Sequence, residues 1–558
     1  MGDRGRRMAV FSLTGFLVLL GPACDGGIPS PLVRDTRYGA VEGVDDAART
    51  GTWSWKGIPF ANPPVGDLRW KAPQEPSPWK GTLAAKAFRE ASVQFGSLFG
   101  PGLNNTYDDT IAATLRQTVG SEDSLYLNIW RPADGDTGLP VICFFHGGAN
   151  VFGYTADPTY DGAALARRAH AVVVTASYRL GFFGWLAMPK ANGGYEPGNY
   201  GTLDQIQALR FIQGNIARFG GDSGNVTVMG ESAGACDLLI LMTSPLAVAE
   251  RPRLFHRAVV LSGGLALRSE LPLGGRPWVE DAASAKEQGA RLLQALLLDE
   301  GRASNPEAAD ALVASWKDGQ IGAYLRAQTP EAILKAWLTK VRLTGMIPDG
   351  IVVADTPLGA IRAGNYLKVP ILLGNTSEEG KLEQRLNVDR ASLFRMLASF
   401  DPDAPPAVKA EDILDFGPLP EYAPTGPKAL WRHITEREFF DNRQVLLEAL
   451  GPKQANIWVC RFAWNQEPAP WNFVYGAAHF FDMPFYFGNW GPGVFSRAIA
   501  SKANEAGRLA LSDAMMGALA AFARTGNPNN PRLGLAWPTW PKELVFDATL
   551  EEKKLSVH

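Results

Sequence analysis

The sequence predicts an α/β fold built on a mainly parallel sheet, and two observations carry that expectation. Continuous apolar runs rich in β-branched residues recur along the chain, and stretches of helical character separate them. A run such as Val172-Val173-Val174 has no polar face to offer water, so it needs cover on both sides. Helices on either side of a parallel sheet supply that cover.

The elements follow in chain order. Pro140-Val141-Ile142-Cys143-Phe144-Phe145 and Ala171-Val172-Val173-Val174-Thr175-Ala176 read as strands, and Leu203 to Ala217 reads as a helix. Asn225-Val226-Thr227-Val228-Met229 is the next strand, followed by a helix-like stretch from Ala235 to Met242 and a strand at Ala258-Val259-Val260-Leu261. A helix is expected over Ala282 to Leu298, and a strand over Val369-Pro370-Ile371-Leu372-Leu373-Gly374, with a polar tip after it. Asp401 to Lys428 is Pro-rich and reads largely as loop. The late helical and loop segments are candidate insertions, expected to shape a pocket.

Of the 558 residues 46% are apolar and 20% charged, the balance of a globular chain able to bury a large core. The net charge of −3 leaves no electrostatic footprint for nucleic acid or anionic lipid, so no nucleic-acid partner is expected.

The N-terminus differs in character. Arg4, Arg6 and Arg7 precede an uncharged run from Met8 to Leu20, then Gly21, Pro22 and Ala23. This order predicts a secretory signal peptide over residues 1–24, in a run too short to span a membrane. Leu20-Gly21-Pro22-Ala23-Cys24 also looks like a lipoprotein signal, with Gly21 where leucine is usual. Lipidation of Cys24 and simple cleavage therefore both stand, as does a twin-arginine route through Arg6-Arg7. Either way the protein is expected to be exported, and membrane-anchored if Cys24 is lipidated. A linker over residues 25–31 leads to one catalytic domain over 32–558. Cys143, Cys236 and Cys460 lie in apolar stretches without metal or redox spacing and are expected to be buried free thiols.

Gly230-Glu231-Ser232-Ala233-Gly234 fits G-x-S-x-G and sits between a strand and a helix. A chain that turns that sharply from strand to helix pushes the serine out at the tip, and side chains beside it would clash. A chance Gly/Ser turn would match the five residues but not the elements on both sides. Ser232 is thus the candidate nucleophile, and it needs a base to take its proton and an acid to orient that base.

Six histidines compete for the role of base. His146 belongs to a glycine-rich turn, His170 and His256 lead into strands, His433 lies in a helical stretch and His558 is terminal. His479 remains, downstream of the serine as the order Ser, acid, His requires. The acid is expected at a strand end between them, where Asn375-Thr376-Ser377-Glu378-Glu379-Gly380 offers two glutamates that spacing does not separate. Phe145-His146-Gly147-Gly148-Ala149-Asn150 follows a strand ahead of the serine, where small residues let backbone N–H groups approach a developing oxyanion.

These motifs, together with Gly57-Ile58-Pro59-Phe60-Ala61, Glu122-Asp123-Ser124-Leu125-Tyr126-Leu127-Asn128, Phe219-Gly220-Gly221-Asp222 and Phe522-Ala523-Arg524-Thr525-Gly526-Asn527-Pro528, resemble the type B carboxylesterase family over nearly all of the mature chain. The family includes para-nitrobenzyl esterases and cholinesterases. The resemblance implies the α/β-hydrolase fold and hydrolysis of small-molecule carboxylic esters without metal or organic cofactor. It further implies Ser232 as nucleophile, Glu379 as acid because the family's residue directly precedes a glycine, and His479 as base. Gly148, Ala149 and Ala233 are implied as oxyanion donors.

Departures from the family pattern limit what carries over. Ser124 stands where the family has a cysteine, and no cysteine lies between Cys24 and Cys143 to pair with one, so that disulfide is not expected. No tryptophan lies between Trp79 and Trp130, which disfavours a choline platform. Ala149 and Asn150 replace the usual glycine and aromatic. Three small residues at 147–149 match the type linked to esters of bulky tertiary alcohols, and Ala149 fits there without strain if its φ is negative. Two other readings of such a chain are a non-catalytic adhesion protein of the same fold and a true lipase. Occupied positions at Ser232, Glu379 and His479 favour the esterase.

Overall fold

Every residue of Leu139–Phe145 and of Val172–Ala176 is buried, as expected of strands with cover on both faces. They belong to an eleven-stranded sheet in a computed structural model that describes residue 1 and residues 31–190, 195–340, 345–416 and 427–558. The segment expected to be a signal peptide and Cys24 lie outside the described residues.

The strands are β1 (Val44–Asp46), β2 (Thr52–Pro59), β3 (Tyr126–Pro132), β4 (Leu139–Phe145), β5 (Val172–Ala176) and β6 (Gly221–Glu231). They continue with β7 (Arg257–Leu261), β8 (Ile371–Thr376), β9 (Ile457–Phe462), β10 (Glu543–Ala548) and β11 (Lys553–Val557). Their order across the sheet is β1-β2-β3-β5-β4-β6-β7-β8-β9-β10-β11. All neighbours from β5 to β10 pair in parallel, while β1–β3 and β11 form antiparallel edges.

Side chains of β4 alternate between two apolar layers. Val141, Cys143 and Phe145 point into one, which also holds Ile206 and Leu209 of helix α1 (Tyr200–Asn215) and Leu238 and Leu239 of helix α2 (Ala233–Thr243). Ile142 and Phe144 point into the other, under Leu511, Met515 and Phe522 of the long helix Glu505–Thr525. Each buried side chain of this size contributes roughly 1.5–3 kcal/mol, so the sheet is clamped on both faces.

The chain runs from β4 outward to β5 and returns to the far side of β4 as β6. At that switch point the loops after β4 and β6 diverge and leave a crevice beyond the strand ends. Gly147 and Ser232 follow those two strands.

The expected strand at 369–374 begins at Ile371 instead, because Pro370 has no N–H to give the ladder. The sequence reading did not anticipate the antiparallel edges. The expected helices at 203–217, 235–242 and 282–298 appear as α1, α2 and Ala282–Asp299. Within 401–428 the described part is loop apart from the turn Ala410–Ile413 and the start of the helix Pro427–Ile434. Cys143, Cys236 and Cys460 are buried and free. Ser124, which stands where the family pattern has a cysteine, has its Oγ 2.9 Å from Ser92 Oγ.

Candidate active site

Ser232 sits between the last residue of β6 and the first of α2, at φ 56 and ψ −124. A non-glycine residue in that region is strained and persists only where its surroundings over-determine it. Here the Ser232 N–H donates to Leu261 O at 2.8 Å, fixing the turn to the end of β7. The flanking glycines are sterically required. A Cβ on Gly230 would lie 2.2 Å from Gly234 O, and one on Gly234 the same distance from Phe145 O.

His479 and Glu379 meet across a gap of 100 residues: His479 Nδ1 lies 2.7 Å from Glu379 Oε2. Glu379 has no exposed surface, and its Oε1 accepts from Ser262 Oγ (2.6 Å), Thr376 N (2.8 Å) and Asn375 Nδ2 (3.0 Å). Burial works to raise this carboxyl, but the hydrogen bond and charge of His479, with the Ser262 and Thr376 donors, hold it below the usual range. Glu378 turns the other way, to Lys381 Nζ at 2.8 Å and Ala477 N at 3.1 Å.

The second face of His479 meets another acid. Its Nε2 lies 3.1 Å from Glu231 Oε1, and Ser232 Oγ has no hydrogen-bond partner among the described residues. Burial would lower the imidazole, but the charges of Glu231 and Glu379 and the Glu379 hydrogen bond outweigh it and raise the His479 pKa above the ordinary range. Burial raises Glu231 in turn. The Phe439 ring packs on the imidazole at 4.9 Å.

Gly148 and Ala149, at φ 96 and 51, and Asn150, at φ 59, make three consecutive left-handed residues after β4. The negative φ that would let Ala149 fit without strain is therefore not met, and its Cβ is held in a strained backbone. The N–H groups of Gly148 and Ala149 meet no acceptor among the described residues. Ala233 opens α2, so its N–H has no intrahelical acceptor either.

A cavity of about 320 Å³ joins these parts, lined by Gly148, Ala149, Glu231, Ser232 and His479. Phe99 and Phe480 line it as a pair, edge to face at 5.2 Å, and Trp278 and Glu438 line the cavity too. Phe480 follows the histidine at φ 79, an unusual conformation for a bulky residue.

Sequence reasoning missed Ser262, Glu231 as a histidine partner, and Asp237 beneath the loop after β4. Ser262 had one signal, its place at a strand end on the functional edge of the sheet. A surface cluster of Asp134, Asp136 and His170 has ligand atoms within 4.8 Å of one another. It lies at the opposite edge of the sheet, where β3 ends and β5 begins, and Asp134 is already bonded to Arg131 at 2.8 Å.

The sequence pattern of the Carboxylesterase family matches residues 30–404. Para-nitrobenzyl esterase of Bacillus subtilis (strain 168) is 32% identical over 532 residues, spanning 92% of this chain and 94% of the relative. Fumonisin B1 esterase of Sphingopyxis macrogoltabida is 33% identical over 513 residues, spanning 89% and 83%. Among solved structures, a PNB esterase superposes with a TM-score of 0.69 at 27% identity, covering 95% of this chain and 97% of that one.

Proposed function

The chain belongs to the carboxylesterase family and has its α/β-hydrolase fold, and on that premise we propose how this carboxylic-ester hydrolase works and where. Ser232 attacks the ester carbonyl while His479 takes the hydroxyl proton on Nε2. Glu379 fixes the ring through Nδ1 and stabilises the imidazolium. The observation that carries this reading is the 2.7 Å contact between His479 Nδ1 and Glu379 Oε2, in a cavity that also holds Ser232.

The N–H groups of Gly148, Ala149 and Ala233 receive the negative charge that develops on the carbonyl oxygen. Collapse of the tetrahedral intermediate expels the alcohol, which takes the proton back from His479 and leaves an acyl-Ser232. His479 then activates water against the acyl group, and the acid departs. Glu231 and Glu379 both favour the imidazolium, the form present once Ser232 has given up its proton.

The substrates are small carboxylic esters, with the apolar wall at Phe99 and Phe480 receiving one side of the ester. The catalytic unit is one domain over 32–558, exported behind the N-terminal signal and anchored if Cys24 is lipidated. Replacement of Ser232 or His479 by alanine should lower kcat/KM for p-nitrophenyl esters by several orders of magnitude, since triad members act as a unit. Near-normal kcat in either folded variant would overturn the mechanism.

A further inference from the structure

The proposed oxyanion donors come from two separate pieces of chain, and something must hold those pieces in register. Gly148 and Ala149 lie in the loop after β4, while Ala233 starts α2. The loop carries strain of its own, because Ala149 adopts a left-handed backbone that alanine avoids, followed by Asn150 in the same region, which asparagine tolerates better.

The side chain of Asn150 is buried and reaches from the loop to the helix. Its Nδ2 donates to Asp237 Oδ1 at 3.0 Å, and its Oδ1 lies 3.2 Å from Tyr178 Oη. The single Tyr178 hydroxyl proton goes to His146 O at 2.6 Å, and Gly181 N donates to Asn150 O at 2.7 Å. Asp237, without exposed surface, stands one turn into the helix that Ala233 opens. Its other oxygen accepts from Gln205 Nε2 of α1 at 2.6 Å. The carboxyl thus has two amide partners, one on the loop and one on α1, and no basic residue bonded to it. Burial pushes it up to about 7 against those two hydrogen bonds.

We propose that Asn150 and Asp237 are positioning residues that clamp the two halves of the oxyanion hole together, an inference that rests on the mechanism above. The link spans 87 residues and joins the strained loop directly to the nucleophile helix. Releasing it lets the loop relax, so that Gly148 and Ala149 no longer aim with Ala233 at one point. The ester still binds in its apolar cavity, so the loss falls on kcat rather than KM.

The test uses the full chain and four variants: Asn150→Gly, which removes the side chain without adding backbone strain, Asp237→Leu, their double combination, and Asp237→Asn. Each is assayed with p-nitrophenyl butyrate and with an alkyl trifluoromethyl ketone, whose hemiketal on Ser232 needs the same donors. Circular dichroism melts show which variants fold. The expected result for each single variant is a kcat lower by about ten- to hundredfold, as a misplacement near 1 Å produces. KM should stay within about threefold of wild type and ketone affinity should fall in parallel with kcat.

The double variant should be no worse than the more damaged single one. Asp237→Asn should recover most of the activity, because Gln205 can turn its amide and offer Oε1, which has no partner among the described residues. A kcat within about threefold of wild type in either folded single variant would overturn the clamp. So would losses that multiply in the double variant, or an asparagine at 237 as damaging as leucine. If Asp237→Leu does not fold, Asn150→Gly decides alone. Stoichiometric labelling of wild-type Ser232 by an organophosphate checks the underlying mechanism separately, so an unaffected variant of a labelling enzyme counts against the clamp only.

Discussion

Glu379 and Glu378 are neighbours in the chain and point to different partners: Glu379 Oε2 reaches His479 Nδ1 at 2.7 Å, whereas Glu378 Oε2 reaches Lys381 Nζ at 2.8 Å. The division follows from the end of β8, where Thr376 N and Asn375 Nδ2 already hold the Glu379 carboxylate on the inner side. Two substitutions then have unequal expected effects. Glu379→Gln should lower kcat by about 10³–10⁴, because an amide no longer selects the productive imidazole tautomer. Glu378→Gln should change kcat by less than about tenfold, the loss of one part-buried ion pair. Steady-state kinetics of the two folded variants decide, and the reverse order would contradict the assignment.

The contact between Glu231 and His479 Nε2 predicts a pH effect. A carboxylate 3.1 Å from the ring favours the protonated imidazole, which cannot act as a base. Activity should therefore rise with pH as His479 loses its proton, with the limb displaced upward. Glu231→Gln removes the negative charge, lowers the His479 pKa and should move the acidic limb of kcat/KM to lower pH. A limb that stays in place, or moves up, in that variant would show that Glu231 does not act on the histidine.

At Ala149 the left-handed backbone, φ 51, makes a specific demand. Alanine there is disfavoured by about 1–2 kcal/mol, while glycine loses more freedom on folding, and the two effects oppose each other. The N–H is present in both residues, so Ala149→Gly should change kcat/KM by less than about tenfold, or 1.4 kcal/mol in barrier. Wild type should accept some tertiary-alcohol esters. A panel of linear and tert-butyl esters tests both points, and a large gain for the glycine variant on every substrate would show that the alanine distorts the hole.

Much of this site was legible in the sequence, for reasons that differ by residue. Ser232 is set by five adjacent residues between a strand and a helix, and local signals of that kind survive in one dimension. His479 emerged by elimination among few candidates. The direction of two consecutive glutamates is not a local property, because it depends on donors such as Ser262, which lies 117 residues away. The pairing of Asn150 with Asp237 is hidden for the same reason. The sign of φ at Ala149 stayed open for a related reason: the loop's neighbours, among them Gly181, Tyr178 and Asp237 at Asn150, come from other parts of the chain. In the fold, uniformly apolar strands announced the parallel centre, while the antiparallel edges β1 to β3 mix polar residues with aromatic ones and gave no such signal.

The central claim is that Ser232 is the group acylated by the ester. The most direct measurement is intact-mass analysis after exposure to a dialkyl phosphate ester, followed by mapping of the labelled peptide, in wild type and in Ser232→Ala. The account predicts one adduct per chain, on the peptide that contains Ser232, with activity lost in proportion to labelling and no adduct on the alanine variant. Active protein that takes no label, or an adduct on another residue whose formation tracks the loss of activity, would contradict it.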